Sequence, residues 1–428
     1  MALVKVGYEM AVSVRLTALL LVIVHSSVVF GGGNLDLQSQ SSGRLTQRWL
    51  SQAVMDAGRE KVQWMLNDED FIYVQSTGGT LTALNAENGR KVWARHVGQT
   101  NEVASGAATN SQVVVVVVGP VLYALDKFTG EELISFRLPL QPSGKPALKN
   151  HWCYLPMNDG SLYAYSLFDL QHLERFGELP STSQRPHQWR FIVHERINFA
   201  AVAGERSIAF GSAKGSIHGL HPAGIAPGTT NFELMTRVPI AAPLTLVRRG
   251  DTEYCLAATE EGRIFCLLLS ENGRQSWIHV MARPIADRMV GIGDDLFVPT
   301  QGDGMHVLSL SDGVPRQTED GIWLNRDAEV LRAVTADTVY AVDAAQRLIC
   351  INRQTGKTEA RINLQDFTLG ITNDLTDRVY LATTGGQVMC LAETGSDFAA
   401  YHQNPELRPI MPAVPAKDQA PETTPADQ

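Results

Sequence analysis

The chain has 428 residues, of which 44% are hydrophobic and 19% are charged, a composition typical of a globular protein with a sizeable core. Its formal net charge is −9, and no long run of Lys or Arg occurs anywhere in the sequence. The chain therefore lacks the basic surface that binding to nucleic acid or to an anionic membrane surface requires, and we expect no nucleic-acid partner.

The first 33 residues differ in composition from the rest of the chain. Lys5 and Arg15 precede the apolar stretch Leu16–Val24, which has the length of a secretory signal core and is shorter than the roughly 20 residues of a membrane span. Val29 and Gly31 form a small-residue pair suited to cleavage. This pattern predicts a signal peptide in residues 1–33. An uncleaved signal anchor, with membrane association through this segment, is the alternative. No cysteine comes directly after the apolar core, and the first in the chain is Cys153, so a lipid anchor is not expected.

A short unit of strands and tight turns begins at Phe71 and ends at Val97. An apolar strand ends in Gly78-Gly79, a second strand ends before Asn88-Gly89, and a third strand carries Trp93. Strands that alternate with glycine turns in this way predict an antiparallel meander. A single meander cannot bury its apolar face alone, so we expect the unit to recur.

The unit recurs eight times when its copies are aligned on a small residue in the third strand. The small residues are spaced 40 to 55 positions apart and are Ala83, Ala124, Ala164, Gly219, Cys266, Val307, Cys350 and Cys390. A period near 40 with about four strands per unit predicts an all-β, eight-bladed β-propeller of four-stranded antiparallel blades. Seven blades, with the weak sixth copy read as an insertion, is the competing assignment.

Each repeated sequence position has a local physical explanation. We expect the small residue to lie on a strand that neighbouring blades crowd, and the turn glycines to adopt positive φ. Second strands such as Val113–Val118 are continuously apolar, which is typical of strands covered on both faces. The eighth copy stops near Glu393 without an outermost strand. Leu45–Val54 reads as a strand, and we predict that it completes this blade and closes the ring.

The predicted domain boundaries follow from these patterns. Residues 34–400 form the propeller, and residues 401–428 form a Pro-rich tail that we expect to be disordered. Two of the repeat steps are long. Gly177–Asn198 is predicted as an insertion between blades three and four, and Ala223–Phe232 accounts for the second long step. Such loops are candidates for a partner-specific surface, and the alternative is that they are solvent-exposed loops without a binding role.

Two segments of the repeat resemble a known family. The pattern AxNxxNGxxxW at Ala83–Trp93 and the pattern AxDxxTG at Ala124–Gly130 are similar to the repeat of the pyrroloquinoline-quinone (PQQ)-like propellers. That family includes quinoprotein alcohol dehydrogenases and the outer-membrane assembly factor BamB. The resemblance extends from about Leu45 to Glu393. The family's Trp, four residues past the turn glycine, occurs at Trp93 and Trp277, whereas Ile134 and Ala360 replace it elsewhere.

The resemblance implies a fold but leaves the activity open, because the family contains both enzymes and scaffolds. A quinoprotein dehydrogenase would hold PQQ on a Trp floor, facing adjacent disulfide-bonded cysteines, together with a calcium ion bound by oxygen ligands. No two cysteines are adjacent here. We expect all five cysteines to be small buried hydrophobic residues. A bridge between Cys350 and Cys390 in neighbouring blades stays open as an alternative.

Other chemical motifs do not assemble into a site. His218 and His221 are three residues apart on a strand pattern, so their side chains point to opposite faces unless a turn intervenes. Acidic residues at Asn67–Asp70 and Gly293–Asp295 precede strands, where Asp and Asn usually satisfy turn backbone groups. No nucleophile elbow or phosphate loop is present. We therefore predict no catalytic, cofactor-binding or metal-binding residue.

These observations favour an exported, non-catalytic propeller that acts as a binding or assembly scaffold in the periplasm or cell envelope. Its partner would be a protein or peptide held by the loops between strands, and no cofactor is expected. A PQQ-dependent dehydrogenase that uses calcium is the first alternative. A carbohydrate-binding or lyase propeller is the second, and the aromatic content of only 7% gives it little support.

Overall fold

A computed structural model describes residues 43–175, 187–222 and 226–403. In these residues eight four-stranded antiparallel sheets form the blades of a β-propeller, which confirms the predicted fold class. Each blade is a meander of consecutive strands. The first strands of successive blades contact one another through most of the ring, which places them around the central channel. The predicted segment 1–33 lies outside the described residues.

The first four blades follow chain order from the centre outward. Blade one contains β2 (Val62–Asn67), β3 (Phe71–Ser76), β4 (Thr80–Asn85) and β5 (Lys91–His96). Blade two contains β6 (Ala104–Thr109), β7 (Val113–Val118), β8 (Val121–Asp126) and β9 (Glu132–Arg137). Blade three contains β10 (Ala147–Lys149), β11 (Trp152–Pro156), β12 (Ser161–Ser166), the helix α1 (Leu167–Arg175) and β13 (Trp189–Ile192). Blade four contains β14 (Val202–Ala203), β15 (Ile208–Gly211), β16 (Ser216–Leu220) and β17 (Thr230–Met235).

The last four blades keep the same order, except that the outermost strand of blade eight comes from the beginning of the described chain. Blade five contains β18 (Thr245–Arg249), β19 (Thr252–Ala258), β20 (Arg263–Leu268) and β21 (Arg274–Val280), with a 3₁₀ turn at Leu269–Glu271. Blade six contains β22 (Val290–Ile292), β23 (Asp295–Thr300), β24 (Gly304–Ser309) and β27 (Leu324–Asn325), with a hairpin of β25 (Gln317–Thr318) and β26 (Gly321–Ile322). Blade seven contains β28 (Val330–Val334), β29 (Thr338–Val342), β30 (Arg347–Asn352) and β31 (Thr358–Asn363). Blade eight contains β32 (Leu369–Gly370), β33 (Val379–Ala382), β34 (Gln387–Glu393) and β1 (Leu45–Gln52).

The two ends of the propeller meet in blade eight. Strand β1 pairs antiparallel with β34 from Leu45 opposite Glu393 to Gln52 opposite Gln387. This pairing confirms that the segment predicted from Leu45 closes the ring. The sixth copy forms a complete blade, so the eight-bladed assignment is correct and the seven-bladed alternative is wrong.

The position of the first long insertion differs from the prediction. Trp189 pairs with Ala164 of β12, so Trp189–Ile192 is the outermost strand of blade three. The insertion therefore lies within blade three, between its third and fourth strands, and does not separate blades three and four. A strand of only four residues after a helix has too short a pattern to be recognised in sequence. The second insertion also joins third and fourth strands, within blade four.

Alternating side chains of the second strands fill the spaces on both sides of a blade. In β7, Val114, Val116 and Val118 belong to the apolar cluster shared with blade one. Val115 and Val117 belong to the cluster shared with blade three. Complete burial of one such side chain stabilises the fold by about 1.5 to 3 kcal/mol, which explains why these strands are apolar at every position.

Seven of the eight aligned residues, all except Val307, pair directly with a residue on the outermost strand of their own blade. Aromatic side chains occupy the opposing position in five of the pairs: Ala83 and Trp93, Ala164 and Trp189, Gly219 and Phe232, Cys266 and Trp277, and Cys390 and Trp49. Cross-strand partners share one face of a sheet, so a larger residue at the small-residue position would collide with the aromatic side chain opposite it. A small residue is therefore needed at this position for two reasons: the aromatic side chain of the same blade and the crowding by neighbouring blades.

Five indole rings connect their blade to the next one. In each case Nε1 donates a hydrogen bond to a backbone carbonyl in the turn after the third strand of the following blade. The donor and acceptor pairs are Trp49 to Ala86 (3.0 Å), Trp93 to Lys127 (2.9 Å), Trp189 to Pro222 (3.4 Å), Trp277 to Leu310 (2.9 Å) and Trp323 to Arg353 (2.8 Å). The ring also covers the turn glycine. A Cβ at Gly130, where φ is +71°, would come within 2.6 Å of Trp93.

No helix in the described part of the chain is long and apolar enough to cross a membrane. Tyr401 forms a backbone bridge with Thr376 of blade eight. The remainder of the predicted tail, from residue 404, lies outside the described residues.

Candidate protein-binding face

One edge of every blade carries two kinds of connection. Because strand direction alternates in a meander, the loop between the first and second strands and the loop between the third and fourth strands leave at the same edge. We call this side of the propeller the loop face. Helix α1 begins the third-to-fourth connection of blade three, so it lies on the loop face. Residues 394–403, which follow the third strand of blade eight, also start from it.

Three neighbouring cavities open on the loop face, each between two consecutive blades. The first, of about 330 Å³, lies between blades eight and one. The second, of about 560 Å³, lies between blades one and two. The third, of about 340 Å³, lies between blades two and three. The first and second cavities share Glu69 and Asp70, and the second and third share Asn110 and Ser111. We call this continuous series the inter-blade groove.

Each cavity of the inter-blade groove has one exposed phenylalanine in its wall. Phe398 in the first cavity is 71% exposed, Phe128 in the second is 52% exposed, and Phe168 in the third is 66% exposed. Single exposed apolar residues are common on protein surfaces, but three large aromatic side chains along one concave path are typical of a protein-binding surface.

A buried cation fixes the floor of the groove between blades one and two. The side chain of Lys127 is only 5% exposed, and its Nζ lies 2.7 Å from Asp70 Oδ2 and 3.1 Å from Asp68 Oδ2. The same nitrogen lies 5.6 Å from the ring centre of Phe71 and 5.8 Å from that of Phe128. This network connects the first loop of blade one to the turn of blade two that carries Phe128.

Burial and a nearby positive charge have opposite effects on the pKa of the Asp68 carboxyl. Burial raises the pKa of the Asp68 carboxyl, and the nearby Lys127 ammonium only partly offsets this effect. Tyr73 donates a hydrogen bond from its hydroxyl to Asp68 Oδ2 at 3.2 Å, and burial raises the pKa of Tyr73 as well. Asp68 also accepts hydrogen bonds from the backbone N–H groups of Asp70 and Phe71. These bonds hold the loop in one conformation beneath the groove.

The first cavity is bordered by charges of both signs. Arg48 pairs with Asp397 at 3.3 Å, and Arg378 donates a hydrogen bond to the Ser396 hydroxyl at 2.9 Å. These arginines belong to blade eight, so they anchor the segment that presents Phe398. The backbone of Ala400 also accepts a hydrogen bond from Asp377, which strengthens the attachment.

The structure does not bring the two histidines of the predicted pattern into a metal site. His218 is buried on β16, where its Nε2 lies 2.7 Å from the Ser216 hydroxyl. Burial lowers the pKa of His218, which favours the neutral ring. His221 lies beyond the strand, in the turn that returns to β17. In residues 43–175, 187–222 and 226–403 no three His, Cys, Asp or Glu side chains are grouped so that they could hold a metal ion.

All five cysteines are free and buried, as predicted for small hydrophobic residues. The alternative of a bridge between Cys350 and Cys390 is therefore wrong. Burial raises the pKa of the Cys153 thiol to about 12, and the other four thiols are shifted in the same direction for the same reason. Such thiols are poor nucleophiles at neutral pH.

The residues near the centre of the ring do not match a site for PQQ and calcium. Arg288 Nη1 pairs with Asp374 Oδ2 at 2.8 Å, between the entry to blade six and a loop of blade eight. Arg332 on β28 is buried, and burial lowers its pKa to about 10. Trp64 lies on the first strand of blade one, but neither adjacent cysteines nor a grouped set of calcium ligands accompanies it in the described residues. The absence of a cofactor stays a prediction.

Comparisons with known proteins identify the family. A family model described as "Outer membrane protein assembly factor BamB" matches residues 77–319, more than half of the chain. The chain belongs to the BamB family. The crystal structure of BamB from Moraxella catarrhalis is similar at 17% identity with a TM-score of 0.59, covering 81% of this chain and 97% of that one. The computationally designed Ika8 protein is similar at 12% identity with a TM-score of 0.55, covering 81% and 99%. No curated protein matches the sequence.

The similarity to Ika8 and to the BamB crystal structure establishes the fold alone, because both identities are below 25%. Membership in the BamB family narrows the protein to a family of propeller scaffolds and agrees with the resemblance found in the repeat. The inter-blade groove was not visible in the sequence. Phe128 and Phe168 each lie four residues after the small residue of their repeat, at Ala124 and Ala164, so the available signal was an aromatic residue where turns are usually polar.

Proposed function

We propose that this chain is an exported, non-catalytic scaffold of the cell envelope that binds a protein partner in the inter-blade groove during assembly of outer-membrane proteins. The observation that carries the proposal is the row of exposed Phe398, Phe128 and Phe168 along three connected cavities. Membership in the BamB family supports the role in assembly, and the apolar core within residues 1–33 supports export.

The groove has the properties that recognition of a polypeptide requires. Its aromatic anchors stand on loops of a rigid ring, so little conformational entropy is lost when a partner binds. The Lys127 network keeps the Phe128 turn in place, and the arginines of blade eight hold the segment that carries Phe398. Polar groups such as Asn110 and Asp70 border the aromatic rings and can pair with a partner's backbone or basic side chains.

A complementation experiment tests the proposal in cells. A strain that lacks this gene receives either the wild-type chain or the triple variant Phe128→Ala, Phe168→Ala and Phe398→Ala, and the abundance of outer-membrane β-barrel proteins is measured. We expect the triple variant to be exported and folded but to restore β-barrel abundance poorly. A control variant with Val280→Ala, an exposed residue on the outermost strand of blade five, is expected to behave as wild type.

Two results would contradict the proposal. Full restoration of β-barrel abundance by the triple variant would show that the groove is not the functional surface. Formation of a stoichiometric complex with PQQ in the presence of calcium, with dye-linked oxidation of an alcohol, would instead establish the dehydrogenase alternative.

A further inference from the structure

Among the described residues, the interface between blades two and three lacks the aromatic docking contact that is found at six of the other seven interfaces. At five interfaces an indole from the outermost strand covers the turn of the next blade, and at the interface between blades four and five Phe232 covers Gly273. In blade two the corresponding residue is Ile134, which lies opposite the small residue Ala124. In the described chain, this strand position of blade two therefore provides no aromatic ring to cover the turn of blade three.

The third cavity of the inter-blade groove lies at this same position. Its wall contains both Ala124 and Ile134, the pair that in blade one corresponds to Ala83 and Trp93. The remaining wall combines the turn of blade two at residues 110–113 with blade three and helix α1, including Leu167 and the exposed Phe168. The cavity therefore occupies the place where a docking indole would lie.

The interface between blades seven and eight also lacks an indole at this position, and apolar side chains pack there. There Ala360 replaces the Trp, and it packs against an apolar cluster that includes Leu45 and Tyr340. Between blades two and three, Ile134 instead belongs to a cluster with Leu167 and Leu170 of helix α1, beside the open cavity.

We propose that the cavity beside Ile134 is a binding pocket for an aromatic side chain, tryptophan above all, of the polypeptide that this scaffold holds. The inference deepens the proposed function and rests on it for the nature of the partner. The occupant is indicated by the chain itself, since five of its own indoles dock at the equivalent place in other blades.

The dimensions and lining of the pocket suit an indole. An enclosed apolar cavity of about 150 Å³ accepts benzene, and this cavity has about 340 Å³. Its walls include the apolar side chains of Leu133 and Ile134, and Phe168 lies at the rim with the His151 ring 6.5 Å away. Asn150 and Gln171 border the cavity and offer oxygen atoms that can accept a hydrogen bond from an indole N–H.

Binding of a small indole probe to the purified protein tests the pocket directly. The probe is N-acetyl-5-fluoro-L-tryptophanamide, followed by fluorine NMR because the chain's own seven tryptophans obscure fluorescence. We expect one saturable site, from which N-acetyl-L-tryptophanamide displaces the probe and N-acetyl-L-leucinamide does not. Phe168→Ala should weaken binding about 3- to 10-fold, the loss expected when one aromatic contact is removed.

Two further variants locate the site. Ile134→Trp restores the docking residue of the other blades, and we expect it to abolish probe binding while the melting temperature stays the same or rises. Val280→Ala is the control, because Val280 is about as exposed as Phe168 but lies on the outermost strand of blade five, outside the groove. It should leave the affinity for the probe unchanged. If Ile134→Trp does not fold, the contrast between Phe168→Ala and Val280→Ala decides.

The inference would be wrong if the wild-type protein showed no saturable binding, if Val280→Ala weakened binding as much as Phe168→Ala, or if a folded Ile134→Trp variant still bound the probe. These results are independent of the complementation experiment, which measures assembly in cells. Absence of probe binding, together with poor restoration of β-barrel abundance by the triple variant, would refute the aromatic pocket alone. Probe binding together with full restoration by the triple variant would refute the assembly role alone.

Discussion

Removal of the indole from the strand that closes the ring should weaken the whole propeller. Trp49 on β1 is buried, its Nε1 donates a hydrogen bond to the Ala86 carbonyl at 3.0 Å, and its ring lies against Gly89 and Tyr380. A Trp→Ala substitution in such a place removes the ring contacts and leaves a cavity, and the Ala86 carbonyl keeps only the hydrogen bond from the Tyr380 hydroxyl at 3.4 Å. We therefore expect Trp49→Ala to lower the free energy of unfolding by about 3 to 5 kcal/mol.

This loss translates into a measurable shift in melting temperature. The entropy of unfolding is about 2.1 cal/mol/K per residue, so a propeller of this size loses roughly 1.3 °C for each kcal/mol. The melting temperature of Trp49→Ala should thus fall by about 4 to 7 °C in differential scanning calorimetry. Trp49→Phe keeps most of the ring and loses the hydrogen bond, and should cost about 1 to 2 kcal/mol.

The variant Trp277→Ala separates the docking contact from closure of the ring. Trp277 makes the same kind of contact, with Nε1 donating to the Leu310 carbonyl at 2.9 Å, but it lies in the middle of the chain. Its melting temperature should fall by a similar amount. Only Trp49→Ala should also make the segment around Leu45–Gln52 sensitive to limited proteolysis. This strand pairs with β34 along one edge only, and the chain connects it to blade one and not to the other strands of blade eight. A shift below about 1 °C for Trp49→Ala, or equal proteolysis of both variants, would refute this reasoning.

Three further predictions concern the Lys127 network, a turn glycine and the cysteines. Lys127→Met leaves buried Asp68 without its cation and should destabilise the protein by about 3 to 5 kcal/mol at pH 8. The pKa of Asp68, already raised by burial, should rise further in this variant, so the carboxyl takes up a proton as the pH falls. The loss of unfolding free energy relative to the wild type, measured with urea, should therefore be smaller at pH 5 than at pH 8. An equal loss at both pH values would exclude Asp68 as the cause. Gly130→Ala should lower the melting temperature, because φ is +71° and the new Cβ would press on Trp93, whereas Gly293→Ala, with φ of +64° and open space around it, should lower it less. The five buried thiols should react with a disulfide reagent at pH 8 only after denaturation, and rapid labelling of the native protein would contradict their burial.

The architecture could be predicted because its signals are local. Each blade repeats the aligned position on its third strand, and each of the six blades other than three and four has a glycine in the next turn, within about ten residues of that position: Gly89, Gly130, Gly273, Gly313, Gly356 and Gly395. The closing strand was also predictable, since Leu45–Gln52 is a strand pattern with no neighbour in sequence and β34 lacks an outer partner. Local constraints that recur at a fixed period therefore determined fold class, blade number and closure.

The docking tryptophans show where this reasoning stops. Trp93 and Trp277 were found by counting four residues from the turn glycine, whereas Trp189 and Trp323 make the same contact at a different spacing. Helix α1 and further residues precede Trp189, and a hairpin lies between Gly313 and Trp323. The contact depends on the position opposite the small residue, and an insertion changes the spacing without changing that position.

The inter-blade groove could not be predicted for a different reason. Its second cavity combines residues 68–70 and 109–111 with Phe128 and Leu375, which come from three blades. Each segment alone reads as an ordinary turn with polar residues. Only the closed ring places them side by side, so exposure of the aromatic side chains is a property of the assembled propeller.

The interface between blades two and three combines two departures from the repeat, and a physical argument connects them. Loss of a docking indole removes contacts worth about 3 to 5 kcal/mol, which would leave this interface weak compared with its neighbours. Helix α1 follows β12 directly at the same interface and buries Leu167 and Leu170 against Ile134, so the insertion restores apolar packing that the missing ring would have provided. The restoration is incomplete, because the cavity beside Phe168 stays open. An insertion that only repaired the interface would have no need to expose a phenylalanine at the mouth of that cavity, whereas one that also presents a pocket to a partner would.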